Sequence, residues 1–184
     1  LVLGFEGFFR VGVQNAFLAY LILYLQKILQ LSIITSSLFF GLAHVSGAMG
    51  RVTWGLVSDR LFEGQRKRVY MFIALISGVT LYILGNLTAT TPLWMITVIV
   101  AILGFTAVGH QGVGLSFISE VAGKEFTGTA AGFKQSFNFL GAAVMAPLFG
   151  LMVDLSGTYT TAWMSLALFS FVASGFVLFV REDL

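Results

Sequence analysis

The sequence predicts an all-α membrane protein built from six transmembrane helices. Composition is the first reason. Of 184 residues, 58% are hydrophobic and only 10% are charged, whereas soluble domains carry about 25% charge, and the mean hydropathy is +0.95. The second reason is length: apolar runs recur that match the roughly 20 residues a helix needs to cross about 30 Å of hydrocarbon. The third is that the breaks between runs are short and polar, with basic residues gathered in alternate ones.

The first run covers about residues 3–25 and stops at Gln26, Lys27 and Gln30. The second, about 36–58, gives way to Asp59, Arg60, Glu63, Arg66, Lys67 and Arg68. The third, about 69–88, ends at Thr91 and Pro92, and the fourth, about 93–117, ends before Glu120, Lys124 and Glu125. The fifth runs over about 129–153 to Asp154 and Gly157, and the sixth over about 161–180 to Arg181. Lys and Arg in short loops favour the cytoplasmic side, so the second and fourth breaks and the tail at Arg181 are expected inside. Both ends are then cytoplasmic and Lys27 is outside. Trp94 and Trp163 fall at expected outer ends and Trp54 near an inner end, where aromatic side chains anchor in the interface.

Nothing in this pattern suits a soluble or nucleic-acid-binding protein. The net charge of +2 is small, and the absence of cysteine removes disulfides and thiolate metal sites. No nucleophile–base set, metal cluster or phosphate loop stands out, so neither an enzyme nor a cofactor is expected. The chain opens at Leu1 inside an apolar run, without an initiator Met or a basic leader segment, and reads as cut from something longer. One echo is internal: Gly55-Leu-Val-Ser-Asp59 closes the second run and Gly150-Leu-Met-Val-Asp154 the fifth. Each is the middle run of three, and the two groups face opposite ways. Two inverted three-helix repeats, about 1–88 and 91–181, are therefore expected within one bundle spanning 1–184.

The strongest local motif is Gly47-Ala-Met-Gly50-Arg51-Val-Thr-Trp54-Gly55-Leu-Val-Ser-Asp59-Arg60, followed by Arg66, Lys67 and Arg68. Small residues let helices approach closely, and an acid beside a basic cluster can make and break ion pairs at a gate. These residues resemble the cytoplasmic-loop signature of the major facilitator superfamily, Gly-x-x-x-Asp-Arg with basic residues after it. A second stretch, Gly128 to Gly132, Gly141, Ala146-Pro147 to Gly150 and Asp154 to Gly157, resembles the eleventh helix of that superfamily. The resemblance implies half of a twelve-helix fold. The fourth run lacks the intramembrane Arg often seen in the fourth helix of the N-terminal half, which favours helices seven to twelve, the C-terminal half, with the N-terminal half absent.

Ionisable groups inside a membrane are functional candidates by default. Glu6, Arg10 and Gln14 recur every four residues and so share one face of the first helix; Glu6 and Arg10 are placed to pair. Gln14 and Asn15 lie near the midplane, where solute sites of such folds sit. His44 and Arg51 share a face of the second helix, as do Lys134 and Asn138 of the fifth. His110 and Gln111 interrupt the fourth among Gly104, Gly109, Gly112 and Gly114. Arg10, Arg51 and Lys134 against Glu6 sum to +2, which an anionic solute would neutralise. An Arg eight residues before the loop Asp is similar to nitrate and monocarboxylate transporters of the superfamily, and a Lys in the eleventh helix to oxalate:formate antiporters.

The expectation is a secondary active transporter of a small organic or inorganic anion in a bacterial inner membrane, working by alternating access. Its substrate contacts are Arg51, Lys134, Gln14, Asn15, Asn138 and His44, its proton-coupling candidates are His110 and Glu6, and its gate is Gly55, Asp59, Arg60, Arg66, Lys67 and Arg68. The expected partners are lipid, the N-terminal half, the solute and a proton or other coupling ion. Efflux of a hydrophobic compound, through a cavity drawn from 19 Phe, and a non-transporting receptor of the same fold are the alternatives.

Overall fold

A computed structural model of the chain describes residues 1–62 and 65–179. Glu63 and the tail containing Arg181 lie outside the described residues, as does the side chain of Lys124. Among the described residues, six helices are long and apolar enough to cross a membrane: α1 (Val2–Lys27), α2 (Ile33–Leu61), α3 (Arg66–Gly85), α4 (Leu93–Gly123), α5 (Glu125–Ser156) and α6 (Tyr159–Leu178). No strand occurs among them.

Local chemistry sets the boundaries. Ser32 caps α2, its hydroxyl accepting the Thr35 N–H at 3.1 Å, which satisfies one of the free donors of a helix N-terminus. Gly157 ends α5 in the left-handed conformation (φ 70°) and its N–H reaches the Val153 carbonyl at 2.8 Å. Helical hydrogen bonding continues from Gln111 to Ser156 with one break, Gly123, at φ 72° and ψ 165°. That conformation is essentially reserved for glycine. α4 and α5 thus meet at the Gly123 break with only Lys124 between them, and they extend past the 93–117 and 129–153 limits set by hydropathy.

Within α4, residues Gly104–Val108 form a π turn, closed by Gly109 N–H to Gly104 C=O at 3.0 Å. Such turns interrupt a helix and leave carbonyls to find other partners. The Phe105 carbonyl takes the Trp54 indole N–H at 2.9 Å. Trp54 therefore ties α2 to α4. Trp163 departs further from the expectation of an interfacial anchor. It is fully buried, 4.7 Å from the Phe149 ring and 5.3 Å from Tyr24, because its helix face packs inward; Trp94 is exposed.

The helices pack in pairs: α1 lies along α5, α2 along α4 at its π turn, and α3 along α6. The larger core cluster joins Phe17, Leu21, Tyr24, Leu84, Phe149 and Trp163, and the smaller one joins Val69, Tyr70, Ile73, Val113 and Phe117. The two main crossings rest on glycine. A Cβ on Gly141 would collide with the Phe8 carbonyl of α1, and one on Gly104 with the Ala43 carbonyl of α2. Close backbone contact is how helices associate where lipid removes the hydrophobic drive. Gly141→Leu is accordingly expected to lower stability by about 1–3 kcal/mol, the usual cost of overpacking, read as earlier thermal unfolding in detergent.

Candidate functional site

One turn of α1 separates Glu6 from Arg10, and the two are hydrogen-bonded through Arg10 Nε and Glu6 Oε1. The same guanidinium donates to the Tyr70 carbonyl of α3 at 3.2 Å and lies 4.4 Å from the Tyr70 ring centroid. From α5, Lys134 places Nζ 3.9 Å from Glu6 Oε2 and 5.5 Å from the same ring centroid. Three helices thus bring one carboxylate, two cations and one aromatic face together. All four residues are buried, Glu6 completely. Taking an ion out of water costs several kcal/mol unless it is paired, and cations are further stabilised over an aromatic face.

Gly7 makes this approach possible. A Cβ there would collide with Asn138 Oδ1 and stand 3.4 Å from Lys134 Cε. Beside the cluster lies a cavity of about 240 Å³ lined by Glu6, Tyr70, His110, Gln111, Lys134 and Asn138, among others. Gln111 Nε2 donates to Gln14 Oε1 at 3.1 Å, joining α4 to α1. His110 is buried, its Nδ1 2.9 Å from the Ala107 carbonyl and its ring edge-on to Tyr70. Asn138 Nδ2 donates to Gln135 Oε1 at 3.0 Å.

Of the residues singled out from sequence, Glu6, His110, Lys134 and Asn138 line this cavity, and Gln14 touches it through Gln111. Asn15 is half-buried and donates to the Val11 carbonyl of its own helix at 2.9 Å. His44 and Arg51 are both exposed on α2, His44 against the Phe40 ring, and neither lines the cavity. Arg51 meets α4 through its backbone, which packs on Gly112. With Arg51 exposed, the buried sum of Arg10 and Lys134 against Glu6 is +1. Tyr70 was not singled out, since one aromatic residue in an apolar run carries no signal. Its role depends on α3 reaching behind α1 and α5.

At the end of the bundle where α2 turns into α3, Arg66 bonds Asp59 at 2.7 Å and Glu120 of α4 at 3.0 Å. Its Nε also donates to Glu120 Oε1 at 3.1 Å. Lys67 Nζ donates to the Leu178 carbonyl at 2.7 Å, capping α6. Arg60 and Arg68 are exposed, and a Cβ at Gly55 would meet nothing within 4 Å. Glu120 is thus the acid that joins Arg66 to the far helix. Asp59 and Glu120 are more than half exposed, so Arg66→Ala is expected to cost only about 1 kcal/mol. The same change should loosen the Gly123 connection, measurable as faster amide exchange at the end of α4.

Comparison with known proteins gives a family match and several distant relatives. The family model described as Major Facilitator Superfamily matches residues 3–183. An uncharacterised MFS-type transporter of Mycobacterium tuberculosis is 30% identical over 77% of this chain and 31% of its own length. Monocarboxylate transporter 13 of Rattus norvegicus is 28% identical over 76% of this chain and 32% of its own. A probable galactarate/D-glucarate transporter of Bacillus subtilis is 26% identical over 79% and 32%. The chain thus spans about a third of the length of the curated relatives it matches.

Proposed function

This chain belongs to the major facilitator superfamily, and from that premise we propose that it is the C-terminal half of a secondary transporter that moves a small anion by alternating access. The observation that carries the anion is the cavity beside Glu6, Arg10, Tyr70 and Lys134: a buried ionic cluster of formal charge +1 opening onto amide side chains. A carboxylate entering there meets Lys134 as a point charge and completes the charge balance. The names of the rat and Bacillus relatives, one for monocarboxylates and one for galactarate and D-glucarate, agree with a carboxylate.

The partner is the N-terminal half. Burial supports this: the apolar windows of α5 and α2 are 17% and 33% buried, the lowest of the six. Arg51 and His44, exposed on α2, would then face the pathway between the halves. Two inverted repeats, α1–α3 and α4–α6, fit the packing, since exchanging the groups maps the α1–α5 pair onto α4–α2 and α3–α6 onto itself. The Asp59–Arg66–Glu120 latch, with Arg60, Lys67 and Arg68 around it, is the cytoplasmic gate by its charge. A coupled proton would be carried at Glu6 or His110, both buried at the cavity.

The test is uptake by the full-length protein in proteoliposomes, using radiolabelled mono- and dicarboxylates, sugar acids and inorganic anions, with and without a pH gradient. Saturable anion uptake is expected. Flux of hydrophobic or neutral compounds alone would overturn the anion reading, and ligand binding without flux would make the protein receptor-like.

A further inference from the structure

Resting on the reading of the cavity as the solute site, we propose that Tyr70 is the positioning residue of that site: its hydroxyl and ring hold the Lys134 ammonium short of Glu6, so that its charge stays available to an anion in the cavity. A gap calls for this. An ammonium and a carboxylate ordinarily close to about 2.7–2.9 Å, yet Lys134 Nζ stops 3.9 Å from Glu6 Oε2. That oxygen is buried and left with no hydrogen-bond partner among the described residues, a costly state in the interior. Lys134 carries its charge on a flexible four-carbon stem, so the side chain itself does not prevent closure. Something else holds the ammonium away.

Tyr70 is placed to do so. The Lys134 side chain hydrogen-bonds the Tyr70 hydroxyl, and its Nζ lies 5.5 Å from the ring centroid. An ammonium only donates, so the phenol oxygen accepts. Gly114 of α4 leaves room for this meeting: a Cβ there would collide with Tyr70 Oη and stand 3.4 Å from Lys134 Nζ. The ring is fixed in turn. Arg10 lies 4.4 Å from its centroid and donates to the Tyr70 carbonyl, Phe117 meets it edge-on with centroids 5.6 Å apart, and the residue is fully buried. A rigid phenol of α3 thus holds a flexible cation of α5 at a set distance from a carboxylate of α1. Without the hydroxyl the ammonium closes on Glu6 Oε2, and its charge is neutralised inside the wall rather than offered to the cavity that Lys134 lines.

Tyr70→Phe removes the hydroxyl and keeps the ring, and two measurements on the full-length protein read the result. The first needs no solute: thermal unfolding in detergent of Lys134→Met, made in wild type and in Tyr70→Phe. In wild type the change is expected to leave the unfolding temperature near that of its parent. In Tyr70→Phe it should lower the temperature by several degrees, because there it removes a direct partner of a buried carboxylate. Equal shifts in the two backgrounds would overturn the proposal. The second is isothermal titration with lactate, glucarate and inorganic phosphate. Whichever of these wild type binds, Tyr70→Phe should bind about tenfold more weakly or worse, the scale of losing one hydrogen bond to a charged group. Adding Glu6→Gln to Tyr70→Phe should recover most of that affinity, since a neutral amide does not capture the ammonium; a merely structural hydroxyl would give no recovery. Unchanged affinity in Tyr70→Phe, or no recovery with Glu6→Gln, would overturn the positioning role while wild-type binding keeps the anion reading. If wild type binds none of the three, it is the anion reading that is overturned, and the unfolding comparison still decides whether Tyr70 holds Lys134 off Glu6.

Discussion

Arg10→Ala is expected to lower the stability of the bundle by about 3–5 kcal/mol, the range seen when one partner of a buried ion pair is removed. Glu6 is completely buried and its Oε1 depends on Arg10 Nε. Lys134, at 3.9 Å from the other oxygen, is too distant to take over. Arg10 also braces α3, through the Tyr70 carbonyl and ring, so its loss reaches beyond the pair. The measurement is thermal unfolding of the detergent-purified protein. Glu6→Ala/Arg10→Ala should be less damaging than the sum of the single changes, with a coupling of about 1–3 kcal/mol, because it removes the orphaned charge together with its partner. An Arg10→Ala protein within about 0.5 kcal/mol of wild type, as for an ordinary surface change, would show that Glu6 is not sealed in the bundle.

The same cluster shows what the sequence carries and what it does not. Six apolar runs identify six helices, because the bilayer fixes both their length and their polarity. The four-residue spacing of Glu6, Arg10 and Gln14 identifies one face, and that face is the one that meets Lys134 and Gln111. Spacing within a helix cannot say which face turns inward. His44 and Arg51 share a face, as expected, but it is an exposed one of this half, and Trp163, placed at a helix end by hydropathy, is in the core. Tyr70 and Glu120 have roles only through helices distant in sequence. The π turn at Gly104–Val108 and the kink at Gly123 depend on backbone conformation, for which a glycine is permission and not instruction.

The position of α3 links the two polar centres. Arg66 holds Asp59 and Glu120 at the end of the bundle, and one turn further along the same helix Tyr70 lies under Arg10 and Lys134. α4 likewise carries Glu120 at one end of its final stretch and His110 and Gln111 at the other. Any movement that breaks the latch at Arg66 therefore acts on two helices that also form the cavity wall. Rigid helices convey such displacements without a chain of intervening side chains.

Lys134→Ala should separate function from folding. Glu6 keeps Arg10 in this variant, so no buried carboxylate is orphaned, and the protein is expected to insert and unfold near the wild-type temperature. Anion uptake should nevertheless fall by about 100-fold or more, the scale of losing a charged contact to a desolvated carboxylate (about 3 kcal/mol or more). Lys134→Arg is not expected to rescue it, since a planar fork replaces a point charge in a space already bounded by Gly7 and the Tyr70 ring. Arg51→Ala is expected to abolish uptake as well, but through the pathway side of α2, where the residue is exposed, and without any change in stability. Loss in Lys134→Ala with normal uptake in Arg51→Ala would assign anion binding to the buried cavity alone. Normal uptake in both would leave the buried charge of +1 as a structural matter and would end the case for an anionic solute.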